Sequence, residues 1–275
     1  MTQFIAEQSL ESRMRHAISV AWQIFSRKVG GGLIAVNKEA SMQLQYAFVL
    51  KQILPLILHA RDESAELELE TGVRLPTGPN NIDILVIGRS GSREIRIALE
   101  LKCYRNITAS GGKRGAQDIF HKDVYQDLEI LEAYVAAGIA HRGIALVMND
   151  HAPITMPIEK KGKFWAYDIS HGAHFAGGTI DVAIGGKPVK LTLSRSYSFD
   201  WHKFGGIWFM ELEGTTTADA IDTLPVALHT DTRAHCDTAL DAHPESEQRS
   251  ESQVKAATGP GRPVKSEEQG QWHRS

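Results

Sequence analysis

The 275-residue sequence contains little cysteine and no long apolar run. Its two cysteines, Cys103 and Cys236, lie far apart and form no Cys-x-x-Cys pair, so neither a disulfide framework nor a cysteine-rich zinc site is expected. The low cysteine content fits a reducing, cytoplasmic location. No run of about 18 apolar residues occurs, and charged residues interrupt the first 25 positions. We therefore expect neither a membrane span nor a signal peptide.

An excess of positive charge is also missing. The 30 lysines and arginines are balanced by 33 aspartates and glutamates, which gives a formal net charge of −3. A strongly basic nucleic-acid binder is therefore not indicated, although a local basic groove can lie on a mildly acidic protein. Hydrophobic residues make up 42% of the chain, which is enough for a sizeable core in one large domain or two small ones.

Two helical segments are predicted at the start of the chain. Residues 7–27 have apolar side chains at helical spacing, and the glycines at 30–32 predict a flexible joint after them. Asn37 is a suitable N-cap for a second helix that ends near Leu54. The residues predicted on the buried side of this second helix are Ala40, Leu44, Ala47, Phe48 and Leu50.

The sequence period then changes to that of β-strands. Leucine and glutamate alternate over residues 66–70, and a turn cluster follows at 76–81. Residues 82–87 form a short apolar run, 88–94 are polar, and 95–102 alternate strictly between apolar and polar side chains. The two runs on either side of the polar residues are predicted to form a β-hairpin with a loop over 88–94.

The predicted hairpin brings three charged residues onto one face of the sheet. If Gly88 pairs with Ile95, Asp83 stands opposite Glu100, with β-carbons roughly 5 Å apart. Lys102 lies two residues beyond Glu100 and therefore points to the same side. A register slip of one residue would separate the two carboxylates, so the arrangement depends on this pairing.

Two carboxylates at such a distance repel each other, and apolar neighbours favour their neutral form. A divalent cation reverses that cost, because Mg²⁺ prefers oxygen ligands and usually takes one or two protein carboxylates together with water and phosphate. A bound metal polarises a phosphoryl oxygen and lowers the pKa of bound water, while a lysine orients that water or stabilises developing charge. The pattern favours hydrolysis of phosphodiester bonds with Mg²⁺ or Mn²⁺ as cofactor.

The segments NNIDILVIG and IRIALELKCY, joined by a short loop, resemble the D…(D/E)xK signature of the PD-(D/E)xK nucleases, the restriction-endonuclease-like superfamily. The resemblance covers roughly residues 37–148, with Ile82 in place of the proline of the signature. It implies that Asp83 and Glu100 bind the metal and that Lys102 is the catalytic lysine. The implied substrate is nucleic acid, with DNA expected, and a homodimer is compatible because many members act as dimers.

The resemblance also implies functional residues on the flanking helices. Members often place a glutamate on the helix before the sheet, and Glu39 in NKEASMQLQYAF occupies that position. The resemblance therefore implies that Glu39 is a third metal ligand. On the helix predicted over 117–137, Gln117 and Lys122 are the accessory candidates.

The predicted fold class is α/β, with a restriction-endonuclease-like core in which helices flank a mixed central sheet. Extra C-terminal strands and a disordered tail are expected after the core. The predicted organisation is an N-terminal helical segment at 1–36, the nuclease-like core at 37–150, a β-rich extension at 151–213 and the tail at 214–275. The tail is assigned from its polar composition.

Less specific interpretations of the motif remain open. Glu100 and Lys102 could form the solvated face of a strand together with Arg96, and Glu39 could act only on its helix dipole. One alternative function is a catalytically inactive nuclease-fold module that binds nucleic acid or a protein partner. Another is a structural or interaction protein in which the motif arose by chance.

Several histidines and one basic segment match no complete binding pattern, and we predict that the histidines are ordinary loop residues and that the basic segment is a solvated linker. They are His171, His174, His229, His235 and His243, with Cys236 beside the tail histidines and Gly261-Arg262-Pro263 near the C-terminus.

Overall fold

A computed structural model describes residues 8–107, 111–112 and 115–216. The helices are α1 (Leu10–Gly30), α2 (Glu39–Ile53), α3 (Gln117–Ala136) and α4 (Ala152–Thr155), with 3-10 turns at Leu54–Ile57 and Lys163–Tyr167. The strands are β1 (Glu63–Leu75), β2 (Gly78–Ser90), β3 (Arg93–Tyr104), β4 (Arg142–Asn149), β5 (Ala173–Phe175), β6 (Gly178–Asp181), β7 (Lys190–Leu193), β8 (Tyr197–Phe199), β9 (His202–Phe204) and β10 (Ile207–Leu212). No helix in these ranges is long and apolar enough to cross a membrane.

Six strands form one mixed sheet in the order β1-β2-β3-β4-β10-β9. Neighbours in this sheet are antiparallel except for β3 and β4, which run parallel. A parallel pair needs a crossover connection, and α3 lies within it. Strands β5 and β8, and strands β6 and β7, form two small antiparallel sheets. The architecture is mixed α/β with helices flanking a mixed sheet, as predicted at that level.

Both faces of the middle strands of the central sheet are buried. One face packs against α1 and α2 and includes the predicted apolar side of β3, which is Ile95, Ile97, Leu99 and Leu101. The opposite face, which includes Leu85 of β2 and Ala98 of β3, packs against α3 and the small sheets. Because side chains alternate along a strand, Glu100 and Lys102 lie on the α3 side.

The register of the β2–β3 hairpin is the predicted one. Gly88 pairs with Ile95, and the pairing continues as far as Ile84 with Leu99. The predicted loop over 88–94 was wrong, because both strands extend through its polar residues and leave only a two-residue turn at 91–92. Ion pairs between charged side chains stabilise this extension, as between Arg89 and Glu94 at 3.0 Å.

The predicted buried face of α2 was partly wrong. Leu44 and Phe48 are 60% and 64% exposed, and Ala40 is exposed as well. Ala47 and Leu50 are buried as predicted, together with Met42 and Tyr46. Apolar side chains lie on more than one side of this helix, so helical periodicity alone did not identify the inner face. The buried face of α2 is the one that carries Tyr46 and packs against α1. The Tyr46 hydroxyl donates a hydrogen bond to the Ile18 carbonyl oxygen of α1, at 3.1 Å.

The glycines at 30–32 end α1 as predicted, with Gly31 as its C-cap, and Gly30 is closely packed. Helix α1 continues through Gly30, where an added β-carbon would lie 2.4 Å from the carbonyl oxygen of Phe204.

We expect Gly30→Ala to lower the free energy of unfolding by about 1–3 kcal/mol, because β9 must move to admit the methyl group. Urea denaturation would measure this change. Gly206→Ala is the control, since a β-carbon there meets open space, and an equal loss in both variants would contradict this packing.

The boundary of the predicted tail falls at the end of the described chain. Thr215 still forms a bridge with Ser196, through two backbone hydrogen bonds of 3.0 Å. The remainder of the predicted tail, from residue 217 onwards, lies outside the described residues. The tail histidines, Cys236 and the segment at 261–263 lie there as well.

Candidate functional site

Four carboxyl groups and one lysine come together between α2, α3 and the central sheet. Asp83 lies on β2, and Glu100 and Lys102 lie on β3. Glu39 is the first residue of α2, and Asp127 lies in the middle of α3. The first four of these residues were singled out from the sequence, and Asp127 was not.

Asp83 occupies an irregular position in the sheet. Glu70 of β1 and Asp83 of β2 stand between two successive pairs of the β1–β2 register but are not paired with each other. Glu70 has a positive φ of 52°. Such strain in a residue other than glycine is typical of functional sites. Gln43 of α2 fixes the irregularity, because its Nε2 donates to Glu70 Oε1 and to the Asp83 carbonyl oxygen, both at 2.8 Å. The Asp83 carboxylate turns to β3 and accepts a hydrogen bond from Leu101 N–H at 2.7 Å.

Glu100 is the most deeply buried of the predicted site residues, with 8% of its surface exposed. Its Oε1 is buried and has no hydrogen-bond partner in the part of the chain that the structure describes. Burial raises the pKa of Glu100 to about 9, and the charges of Asp83 and Asp127 act in the same direction, whereas a hydrogen bond with the Tyr134 hydroxyl acts against them. Burial likewise raises the pKa of Asp83 to about 6, against the effect of its hydrogen bond from Leu101. Negative charge on both carboxyl groups at the same time is therefore unfavourable.

Lys102 is held between α2 and α3 by two carboxylates. Its Nζ lies 3.3 Å from Asp127 Oδ2 and 3.4 Å from Glu39 Oε1. Burial lowers the pKa of Lys102, but the charges of Asp127 and Glu39 outweigh that effect and raise it above its usual value. Burial raises the pKa of Asp127 to about 7, with Lys102 opposing. Lys102 is therefore a protonated ammonium group at neutral pH.

Glu39 reaches the site because of the way α2 begins. The Ser41 hydroxyl oxygen accepts hydrogen bonds from the backbone N–H groups of Asn37 and Lys38, both at 3.2 Å, so the helix starts at Glu39. Lys38 is the N-cap, and the predicted Asn37 cap was one residue early. Glu39 Oε2 accepts a hydrogen bond from Cys103 N–H at 3.3 Å. Its role as a third metal ligand stays a prediction.

The accessory candidates have other partners. Gln117 Nε2 lies 2.7 Å from His151 Nε2, and Lys122 forms an ion pair with Asp123.

Two of the histidines that were predicted to be ordinary loop residues have structural contacts. His171 Nδ1 accepts a hydrogen bond from Trp201 N–H at 3.1 Å, and His174 lies in β5 with its Nδ1 3.3 Å from Ser198 Oγ.

Asp127 could have been found from the sequence. The buried stripe of α3 contains Phe120, Val124, Leu131 and Tyr134, and position 127 completes its spacing of three and four residues. An aspartate within an apolar stripe requires a partner, because carboxylates are rarely buried alone. Gln43 and Glu70 gave no comparable signal, since both depend on the irregular pairing of β1 with β2.

The donor set fits a hard divalent cation, although the side chains are not grouped around one. Asp83 and Glu100 supply carboxyl oxygens on adjacent strands, one of them the unpartnered Oε1 of Glu100. Mg²⁺ typically takes one or two protein carboxylates and keeps several waters, so two such groups are sufficient. Among the described residues, no three His, Cys, Asp or Glu side chains are close enough to hold a metal ion.

The role of Asp127 can be tested by removing its charge. We expect Asp127→Asn to lower the free energy of unfolding by about 1–3 kcal/mol, because Lys102 loses its more buried partner. The pKa of Lys102 should fall, since burial is then opposed mainly by Glu39. Faster acetylation of Lys102 at pH 8–9, measured by mass spectrometry, would report this fall. Asp118→Asn makes the same change on the same helix at a residue that does not affect the pKa of Lys102, so it is the control, and unchanged Lys102 acetylation in Asp127→Asn would contradict the pairing.

Comparison with known proteins identifies no relative of this chain. No family model matches it, and no curated protein or solved structure shows a significant match.

Proposed function

We propose that the protein is a metal-dependent nuclease with a restriction-endonuclease-like core, which hydrolyses phosphodiester bonds in nucleic acid, with DNA the expected substrate. The observation that carries the proposal is the buried, unpartnered carboxyl oxygen of Glu100, next to Asp83 and on the same face as Lys102. A buried carboxyl oxygen with no partner is costly, and bound Mg²⁺ or Mn²⁺ would provide one. The helix–strand–strand–strand–helix–strand order around the site also fits such a core.

The roles of the residues follow from their contacts. Asp83 and Glu100 would hold the metal, which when bound supplies Lewis acidity and a bound water of lowered pKa. Lys102, kept protonated by Asp127 and Glu39, stabilises negative charge on the phosphate and orients the attacking water. Glu39, at 43% side-chain exposure, is the carboxylate that substrate or metal reaches first from solvent.

One observation favours the alternative of an inactive module that binds nucleic acid or a protein partner. Lys102 is engaged by two carboxylates, and the described residues include no trio of acidic side chains grouped for a metal. A site of that kind could bind a partner without reaching a catalytic geometry.

The test is a cleavage assay combined with a direct measurement of metal binding. The protein is incubated with supercoiled plasmid, linear duplex, single-stranded DNA and RNA, each with Mg²⁺, Mn²⁺ or EDTA. Isothermal titration calorimetry follows Mg²⁺ and Mn²⁺ binding in the same buffer. Cleavage that requires metal is the expected result. Nucleic-acid binding without cleavage would favour the inactive module, and the absence of both metal and nucleic-acid binding would overturn the nuclease and leave only a module that binds a protein partner.

A further inference from the structure

A cavity of about 220 Å³ lies directly beside the candidate site. Lys102 and Glu39 line one side of it, so the cavity is continuous with the carboxylate cluster. The opposite side is formed by the beginning of α3. A group bound in this cavity would therefore be adjacent to the reacting phosphate of any substrate held at the site.

The walls of the cavity are polar and apolar in about equal parts. The rings of Tyr104 and Phe120 lie 5.2 Å apart and are buried behind the cavity surface, whereas Ile119 is an exposed apolar side chain of the wall, with 42% of its surface exposed. A water molecule takes up about 30 Å³ in the liquid, so the cavity has room for about seven. That volume suits one small planar ring system, because whole drug-sized ligands need about 300 Å³ or more.

The charged groups at the cavity are mainly acidic. Glu39 and Asp123 supply carboxylate oxygens, and Lys102 supplies one ammonium group. Two carboxylates disfavour a second phosphate group, but they accept hydrogen bonds from the amino and ring N–H groups of a nucleobase. A mixed wall that combines an exposed apolar side chain with two carboxylate acceptors therefore matches a base better than it matches backbone phosphate.

We infer, on the basis of the proposed nuclease function, that this cavity binds one unpaired nucleobase next to the cleaved phosphate and makes single-stranded nucleic acid the preferred substrate. Bases in an intact duplex are stacked and paired, so filling the cavity from a duplex requires the base to leave the stack, at a cost of a few kcal/mol. A single strand already exposes its bases and incurs less of that cost.

The experiment measures binding by fluorescence anisotropy at one fixed salt concentration, in EDTA and in Ca²⁺. The probes are a labelled 20-nucleotide DNA strand, its duplex, and an abasic strand of the same length. We expect the normal strand to bind at least about tenfold more tightly than the duplex, with the abasic strand as weak as the duplex. Ile119→Ala should weaken binding of the normal strand about fivefold and leave the duplex unchanged.

The control variant is Leu56→Ala, which also shortens an exposed apolar side chain but lies on the 3-10 turn before β1. It should leave the affinities for all three probes unchanged. Equal binding of strand and duplex, or of normal and abasic strands, would overturn the inference and leave the proposed nuclease function standing. A protein that neither binds any probe nor cleaves any substrate would overturn the proposed function as well.

Discussion

We expect Glu100→Gln to reduce metal-dependent phosphodiester cleavage by at least about a thousandfold. Glutamine keeps the size of the side chain and fits the same buried space, but its amide has no negative charge with which to hold a divalent cation. Asp83→Asn should have an effect of similar size, since the adjacent carboxylate is the other proposed ligand. Initial rates of plasmid or oligonucleotide cleavage would measure both losses.

The loss of activity must be separated from a loss of folding. Glu68→Gln is the matched control, because it makes the same chemical change on the exposed side of β1 and should retain full activity. Both site variants should also remain folded, since each replaces a carboxyl group that disfavours its charge when buried. Retention of Mg²⁺-dependent cleavage by Glu100→Gln would contradict its assignment as a metal ligand.

The part of the site that the sequence predicted correctly is the part fixed by strand periodicity. The alternation of β3 placed Ile95, Ile97, Leu99 and Leu101 on one face. The predicted pairing of Gly88 with Ile95 is the observed one, and Asp83 lies near enough to Glu100 for its charge to raise the pKa of Glu100. A period of two residues leaves little freedom once one face of a strand is buried.

The features that the sequence did not predict depend on contacts between distant elements. Leu44 and Phe48 were expected inside, but the position of α1 determines which side of α2 is covered. Gly30 was interpreted as flexible because three glycines follow one another, whereas it packs closely against β9 from a distant part of the chain. The pairing of Lys102 with Asp127 likewise appears only when α3 crosses the sheet. Local patterns do not specify such contacts.

The buried carboxyl groups also make a prediction about stability in the absence of metal. The pKa of Glu100 is about 9 in the folded protein against an ordinary value of 4.5. The folded state therefore keeps a proton that the unfolded chain releases, and stability is highest below the ordinary pKa and is lost as pH rises towards 9. Asp83 and Asp127 act in the same direction, with pKa values of about 6 and about 7.

We expect the free energy of unfolding of the wild-type protein in EDTA to fall by up to about 4 kcal/mol between pH 5 and pH 8.5 because of Glu100. Urea denaturation across this range would measure the fall. Glu100→Gln removes the titrating group, so the variant should lose less stability over this range and be the more stable protein at pH 8.5. Added Mg²⁺ should restore the stability of the wild type at pH 8.5 and have little effect on the variant. The same side chain would then stabilise the protein only when its charge is matched by a metal. A variant less stable than the wild type at pH 8.5 would contradict the destabilising effect of the ionised Glu100 carboxylate.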